Sequence, residues 1–450
     1  MSVMVRCGWA LACVLVAEQA WSSDISGSWV GAVVREGAIQ QIELQITAQP
    51  DSKLGGTFSI PELGLYYEPL SGVAFQSPTL SFTCLYGRFD TTVHGDFGEL
   101  VGVNAKWGPP VRIHLKKSTP VRRCSYEEIR FRNLDVELAG TIVWPVGRGP
   151  FPAAVVICGS SPEGRRDGED AWGYRGWGEV LAERGVATLV YDKRGVGESG
   201  GKPQQWTLFN LADDALAGVQ ALRLRKEIDP ARVGLVGLSQ GGWVAPIAAA
   251  KDSAIAFMIL QVPPAVSVAA QEIDAVAAAL SSESAVEAGI RAADIVAAQE
   301  FEREMFEVAY GRKPWLEFER LAVAASKQPW AKFIDIPKTE SDLEWWRRNE
   351  FDPATTLRSV HCPVLALFGE DDLLVPPAKN LPLLKKYLGE GGNKDVTTHV
   401  FRDVGHGCEL PRRLIGDNWR WPESFWVWPR KAPGFYLRIA EWLQQHQLTD

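Results

Sequence analysis

Gly237-Leu238-Ser239-Gln240-Gly241 carries the residue types and spacing of an activated nucleophile. An apolar run, Arg232–Leu238, precedes the serine behind Asp229-Pro230 and predicts a buried strand. The small, largely apolar stretch from Gly242 to Ala250 predicts a helix packed close to a sheet. Between a strand and a helix, G-x-S-x-G forms a sharp elbow that lifts the serine hydroxyl above the sheet edge. Gly237 and Gly241 flank the turn because a Cβ at either position would crowd it. A second match, Gly197-Glu198-Ser199-Gly200-Gly201, also follows a strand-like run, but Lys202-Pro203 comes next and no small-residue helix begins there. A Gly-rich loop is the expectation at Ser199, and Ser239 is the expected nucleophile.

A serine hydroxyl attacks an acyl carbon only with a base in hydrogen-bond reach and an acid that orients the base. Behind an elbow of this kind the acid and then the histidine follow along the chain. Of the four histidines after Ser239, His361 opens a strand before Cys362-Pro363, His399 lies within a strand, and His446 sits in a polar terminal helix. His406 lies in the Gly-flanked turn Val404-Gly405-His406-Gly407-Cys408, where an imidazole can swing over the sheet edge, and is the expected base. Leu367–Pro376 offers Glu370, Asp371 and Asp372; the spacing Gly-x-x-Asp-x-x-Val-Pro selects Asp372, with Asp371 as the alternative. A histidine base predicts activity that fades in acid, where an imidazolium cannot accept the serine proton. Backbone donors must meet the tetrahedral oxyanion. The N–H of Gln240 is one, and the loop Cys158–Arg166 should supply the other from Ser160, with Ser161 the alternative.

Those residues need a scaffold. Apolar strands are expected at Ala153–Cys158, Val186–Tyr191, Arg232–Leu238, Ala256–Val262 and Pro363–Phe368, with a more exposed one over Val396–Val404. Strands of this kind separated by helical stretches predict an α/β architecture with a mostly parallel, doubly wound sheet covered on both faces. Ile129–Val143 predicts a two-strand hairpin turning near Asn133. About a hundred residues separate Val262 from Pro363, far more than one crossover helix needs. Helices are expected there at Val276–Leu280 and Ala285–Ala309, with Ser281–Ser284 capping the second, followed by Trp315, Trp330, Trp345 and Trp346. This insertion, about 263–352, is a helical cap at the carboxyl edge of the sheet: a lid, or else a stabilising appendage. Residues 23–118 predict a small all-β sandwich or barrel, as Ile39–Ile46 and Val111–Leu115 alternate with period two. The α/β part is expected over 119–450.

The first 22 residues predict an export signal rather than part of the fold. Arg6 supplies the positive charge, Gly8–Ala17 a ten-residue apolar run, and Ala20-Trp21-Ser22 a small-x-small cleavage site. The run is too short to span a bilayer, which takes about twenty apolar residues. A lipid anchor on Cys13 is disfavoured because the apolar run continues past it. The chain is therefore expected to be periplasmic or secreted. Of seven cysteines, five lie beyond the signal: Cys84, Cys124, Cys158, Cys362 and Cys408. Their scatter gives no metal spacing, so no metal and no cofactor are expected, and mostly buried free thiols are. A net charge of −8 argues against nucleic acid or an anionic membrane surface as the main partner. Oligomeric state is not legible.

Five segments together resemble the α/β-hydrolase superfamily, and more narrowly exported bacterial hydrolases akin to the dienelactone hydrolase and serine aminopeptidase-like groups. They are Gly149–Pro162, Tyr191–Ser199, Asp229–Gly242, Cys362–Asp372 and Val404–His406. Ile25–Gly31 resembles the opening of the β-domain that precedes such hydrolases, so the likeness spans nearly the whole mature chain. The family usually carries His-Gly before the oxyanion loop, where this chain has Cys158-Gly159, and often Gly where Ser161 stands. The Trp-rich tail Asn418–Trp428 has no counterpart in the pattern and is expected to pack as core. The resemblance implies an exported serine hydrolase acting on carboxylic esters through Ser239, His406 and Asp372. A peptidase on short peptides is the alternative, and a binding protein on the same scaffold the second.

Overall fold

In a computed structural model the described residues are 25–35, 38–50, 53–60, 65–84, 87–94, 99–104, 111–119, 123–160, 162, 164–165, 168–203, 206–409 and 431–449. The predicted signal, Ser161 and the Trp-rich tail lie outside them. The chain divides into two compact units, residues 1–123 with 412–430, and residues 124–411 with 431–450.

The first unit is one antiparallel sheet of nine strands: β1 Gly27–Arg35, β2 Ala38–Ala48, β3 Leu54–Ile60, β4 Leu65–Pro69, β5 Ser71–Gln76, β6 Thr79–Cys84, β7 Gly87–His94, β8 Glu99–Asn104 and β9 Val111–Ser118. Its order is β4-β3-β2-β1-β9-β8-β7-β6-β5. The two end strands are consecutive in the chain, and Leu70 between them donates its N–H to Gly56 of β3 at 2.8 Å, a barrel-like arrangement. The period-two alternation puts Trp29, Val33, Ile42, Leu44, Phe82 and Phe89 into one apolar interior.

In the second unit a hairpin, β10 Cys124–Asn133 and β11 Val136–Pro145, leads into six strands. These are β12 Phe151–Ile157, β13 Ala187–Tyr191, β14 Ile228–Leu238, β15 Met258–Gln261, β16 Val364–Gly369 and β17 Val396–Phe401. The sheet order is β10-β11-β13-β12-β14-β15-β16-β17, parallel from β13 onward. Alternate residues sort to opposite faces. Ala153, Val155 and Ile157 of β12 join a core with helices Leu208–Arg223 and Gly241–Lys251, while Ala154 and Val156 join Trp177, Phe435, Ile439 and Trp442 on the other side. That two-sided burial is why these strands lack polar alternation in sequence.

The long connection between β15 and β16 builds its own apolar core from Leu280, Phe301, Met305, Phe318, Trp330 and Leu343. Two of its boundaries differ from expectation. The first helix runs over Val268–Leu280, because the Ser267 hydroxyl accepts from the Ala270 N–H and starts it earlier. The expected helix Ala285–Ala309 is two, Glu283–Glu287 capped by Ser282 and Ala292–Ala309, because Gly289 turns left-handed at φ +84° between them. Likewise β17 stops at Phe401, before Asp403 at φ +56° turns the chain toward His406.

Candidate active site

The six parallel strands of the second sheet, β12 to β17, end along one edge, and the sequence-selected residues gather there. Ser239 immediately follows β14 with φ +51°, a left-handed conformation rare outside glycine. Hydrogen bonds hold that strain: its N–H donates to the Gln261 carbonyl at 3.0 Å, and its carbonyl accepts from the Gly242 N–H at 2.7 Å. The flanking glycines serve close approach. A Cβ at Gly237 would meet the Gly241 carbonyl oxygen at 2.4 Å, and one at Gly241 would meet that of Ile157 at 2.3 Å. Gly241→Ala is therefore expected to force helix Gly241–Lys251 off β12, costing about 1–3 kcal/mol of stability in chemical denaturation. Unchanged stability and turnover in that variant would contradict this packing.

His406 sits in the turn after β17 with Nε2 2.9 Å from Ser239 Oγ and Nδ1 2.9 Å from Asp372 Oδ2. Asp372, fully buried, also accepts the N–H groups of Leu374 and Val375 on Oδ1, at 2.9 and 2.8 Å. Its neighbour Asp371 is exposed, and its N–H is spent on the Val404 carbonyl at 3.0 Å. Of the two acids the geometry thus brings Asp372 to the imidazole. The other late histidines serve elsewhere. His399 stacks on Phe401 at 4.3 Å, His446 bonds Asp395 and the Trp442 carbonyl, and His361 is exposed. Ser199 is structural as well: its hydroxyl donates to the Asp192 carbonyl at 2.7 Å and accepts from the Ala139 N–H at 2.9 Å.

Gln240 stands at the amino end of helix Gly241–Lys251, whose dipole adds positive potential beside Ser239. Ser160 is exposed in the bend after β12, and the close contact of Gly241 with Ile157 keeps that loop beside the elbow. Two buried cations pin the loop. Lys193 donates through Nζ to the Gly159 carbonyl and lies 4.7 Å from the Trp206 ring centroid. Arg165 bonds Asp192 through both its N–H at 2.5 Å and its guanidinium, and also pairs with Glu128 at 2.7 Å and Glu198 at 3.0 Å. The sequence marks no role for these side chains, although both lie within segments it singles out. Their signal is a run of charges, Asp192-Lys193-Arg194, directly behind a strand apolar but for Thr188.

Gln261 was missed too. Its side chain accepts from Trp177 Nε1 at 3.0 Å and donates to the Gly407 carbonyl at 3.1 Å, bracing the histidine turn, while its backbone carbonyl holds Ser239. Lys431 Nζ also donates to Gly407, at 2.8 Å. The five cysteines beyond the predicted signal are free thiols, and burial pushes Cys362 and Cys408 up to about 12. Among the described residues no group of three or more His, Cys, Asp or Glu side chains could hold a metal ion, and no helix is long and apolar enough to cross a membrane.

A model of the alpha/beta hydrolase family matches residues 154–416. Esterase EstD of Thermotoga maritima is 31% identical over 132 residues, which cover 28% of this chain and 31% of that protein. The thiohydrolase aneE of Aspergillus aculeatus is 30% identical over 141 residues, 31% of this chain and 42% of that one. The chain thus matches less than half the length of either relative. Among solved structures, an esterase of Pyrococcus furiosus aligns over 72% of this chain and 91% of its own at 18% identity, with a TM-score of 0.42.

Proposed function

The chain belongs to the alpha/beta hydrolase family, and from that premise we propose that it is an exported serine hydrolase that cleaves carboxylic esters of small molecules. One observation carries the chemistry: the unbroken relay from Ser239 Oγ through His406 to Asp372, with both hydrogen bonds at 2.9 Å. Ser239 Oγ attacks the ester carbonyl while His406 Nε2 takes its proton. Asp372 holds the Nδ1–H tautomer and stabilises the imidazolium. The N–H groups of Gln240 and Ser160 receive the oxyanion. As the intermediate collapses, His406 returns the proton to the departing alkoxide and an acyl-enzyme remains. Water, deprotonated by the same histidine, attacks that acyl group and releases the acid and free Ser239. The choice of ester over other acyl bonds is supported by the sequence likeness to an esterase. Export rests on residues 1–22.

The test is initial rates on short and medium p-nitrophenyl esters beside an aminoacyl p-nitroanilide, with fluorophosphonate labelling in parallel. Ester turnover well above anilide turnover, with a labelled serine, is the expected result. Dominant anilide turnover would move the assignment to a peptidase. Neither turnover nor labelling would leave a binding protein on this scaffold.

A further inference from the structure

The insertion between β15 and β16 contains a cavity of about 610 Å³ within the size range of small-molecule sites. Its wall mixes apolar side chains, Met305, Phe333 and Trp346 among them, with charged ones. Four acids line it: Glu272 from helix Val268–Leu280, Glu302 from helix Ala292–Ala309, Asp335 and Asp342. Glu302 is only 5% exposed. Among the described residues neither Glu272 nor Glu302 has a hydrogen-bond or ion-pair partner. The remaining charged groups of the lining do not fill that role. Asp342 is occupied by the N–H groups of Lys338 and Thr339 at 2.8 and 2.9 Å, and the Lys338 side chain is exposed and forms no ion pair with either glutamate.

Glu302 is buried and Glu272 half-buried without a counter-ion, and the arrangement makes physical sense where a ligand supplies the missing positive charge. A metal ion does not suit it, since these acids are not gathered into a ligating group. We propose that this cavity is a binding site for an organic ammonium, a monocation carried on a compact apolar or aromatic body. The ammonium meets Glu302 and Glu272, and the body packs on Met305 and the faces of Phe333 and Trp346, where a cation is further favoured by the ring quadrupole.

Burial raises the Glu272 carboxyl to about 7, and burial with the neighbouring charges of Glu272 and Asp335 raises Glu302 to about 8. An ammonium holds both as carboxylates, so its binding expels protons and tightens as pH rises through that range. The site does not rest on Ser239 or on the ester assignment.

The test is calorimetric titration of the full chain with 2-phenylethylammonium and its neutral counterpart 2-phenylethanol, at about pH 8.5 where both carboxyls are largely ionised. The ammonium is expected to bind at least about tenfold more tightly than the alcohol. Glu302→Gln and Glu272→Gln should each erase most of that preference while leaving ester turnover unchanged. Folding is checked independently. Because Glu302 is protonated more readily folded than unfolded, its ionisation costs stability as pH rises from about 4.5 toward 8, so Glu302→Gln should raise the Tm at about pH 9 and leave it near wild type at about pH 4.5. Equal affinity for alcohol and ammonium, no binding of the ammonium, or full preference retained in Glu302→Gln would each overturn the proposal. Loss of ester turnover in the wild type would bear only on the hydrolase assignment.

Discussion

Ser239→Ala is expected to lower kcat/KM for p-nitrophenyl esters roughly 10⁵-fold or more, as removal of a triad nucleophile does elsewhere. The reason is local. The hydroxyl is the group facing His406 Nε2, and its backbone is held at φ +51° by the bond it donates to Gln261 and the one it accepts from Gly242, so nothing else can take its place without unwinding the elbow. His406→Ala should cost about as much, and the double variant little more than either single one, because the two act as a unit. Asp372→Asn should cost about 10⁴-fold. Its remaining oxygen can still accept from Leu374 and Val375, so the loop survives, but the amide presents the wrong partner to Nδ1. Ser199→Ala is the control and should keep turnover within severalfold of wild type. Substantial turnover in Ser239→Ala, measured on protein free of wild-type carry-over, would remove Ser239 as the nucleophile.

Asp192→Ala is expected to destabilise the second unit by about 3–5 kcal/mol, the range for breaking a buried ion pair from one side. Asp192 and Arg165 are 2% and 3% exposed at their side chains. One carboxylate also accepts from the backbone of Arg165 at 2.5 Å and of Glu198 at 2.9 Å, tying the loop after β12 to the loop after β13. Without it the guanidinium keeps Glu128 and Glu198, both half-exposed, and loses its buried partner. Turnover should fall as well, because Arg165 closes the loop that carries Ser160. A double variant, Arg165→Met with Asp192→Ala, leaves neither charge buried and should lose less than the sum of the two single variants. Denaturant midpoints of the four proteins measure this coupling, and strict additivity would refute it.

The chemical constellation was legible because each of its parts is local. A nucleophile elbow needs small residues at fixed offsets around one serine, and Gly237-Leu238-Ser239-Gln240-Gly241 satisfies this within five positions. His406 was marked by its flanking glycines, and the acid loop by its place behind an apolar strand. The strands were legible for the same kind of reason: a strand buried on both faces must be apolar nearly throughout, as β12 and β16 are. The cap's helix boundaries were less so. Val268 and Gly289 depend on one capping hydroxyl and one left-handed glycine, which leave little trace in hydrophobic periodicity.

What the chain alone determined is therefore the set of candidate reacting groups, their order, and the alternation of elements that carries them. Tertiary structure decided which of two adjacent acids meets the imidazole, since Asp371 and Asp372 differ by one position in sequence but by solvent exposure and direction in space. It also decided the supports: Gln261 bracing Gly407, Lys193 and Arg165 pinning the loop of Ser160, and two glutamates without partners around a cavity in the cap. These depend on contacts between segments tens to more than a hundred residues apart. Local propensity and spacing encode how a segment folds, whereas the burial and pairing of a charge are fixed only when distant segments pack.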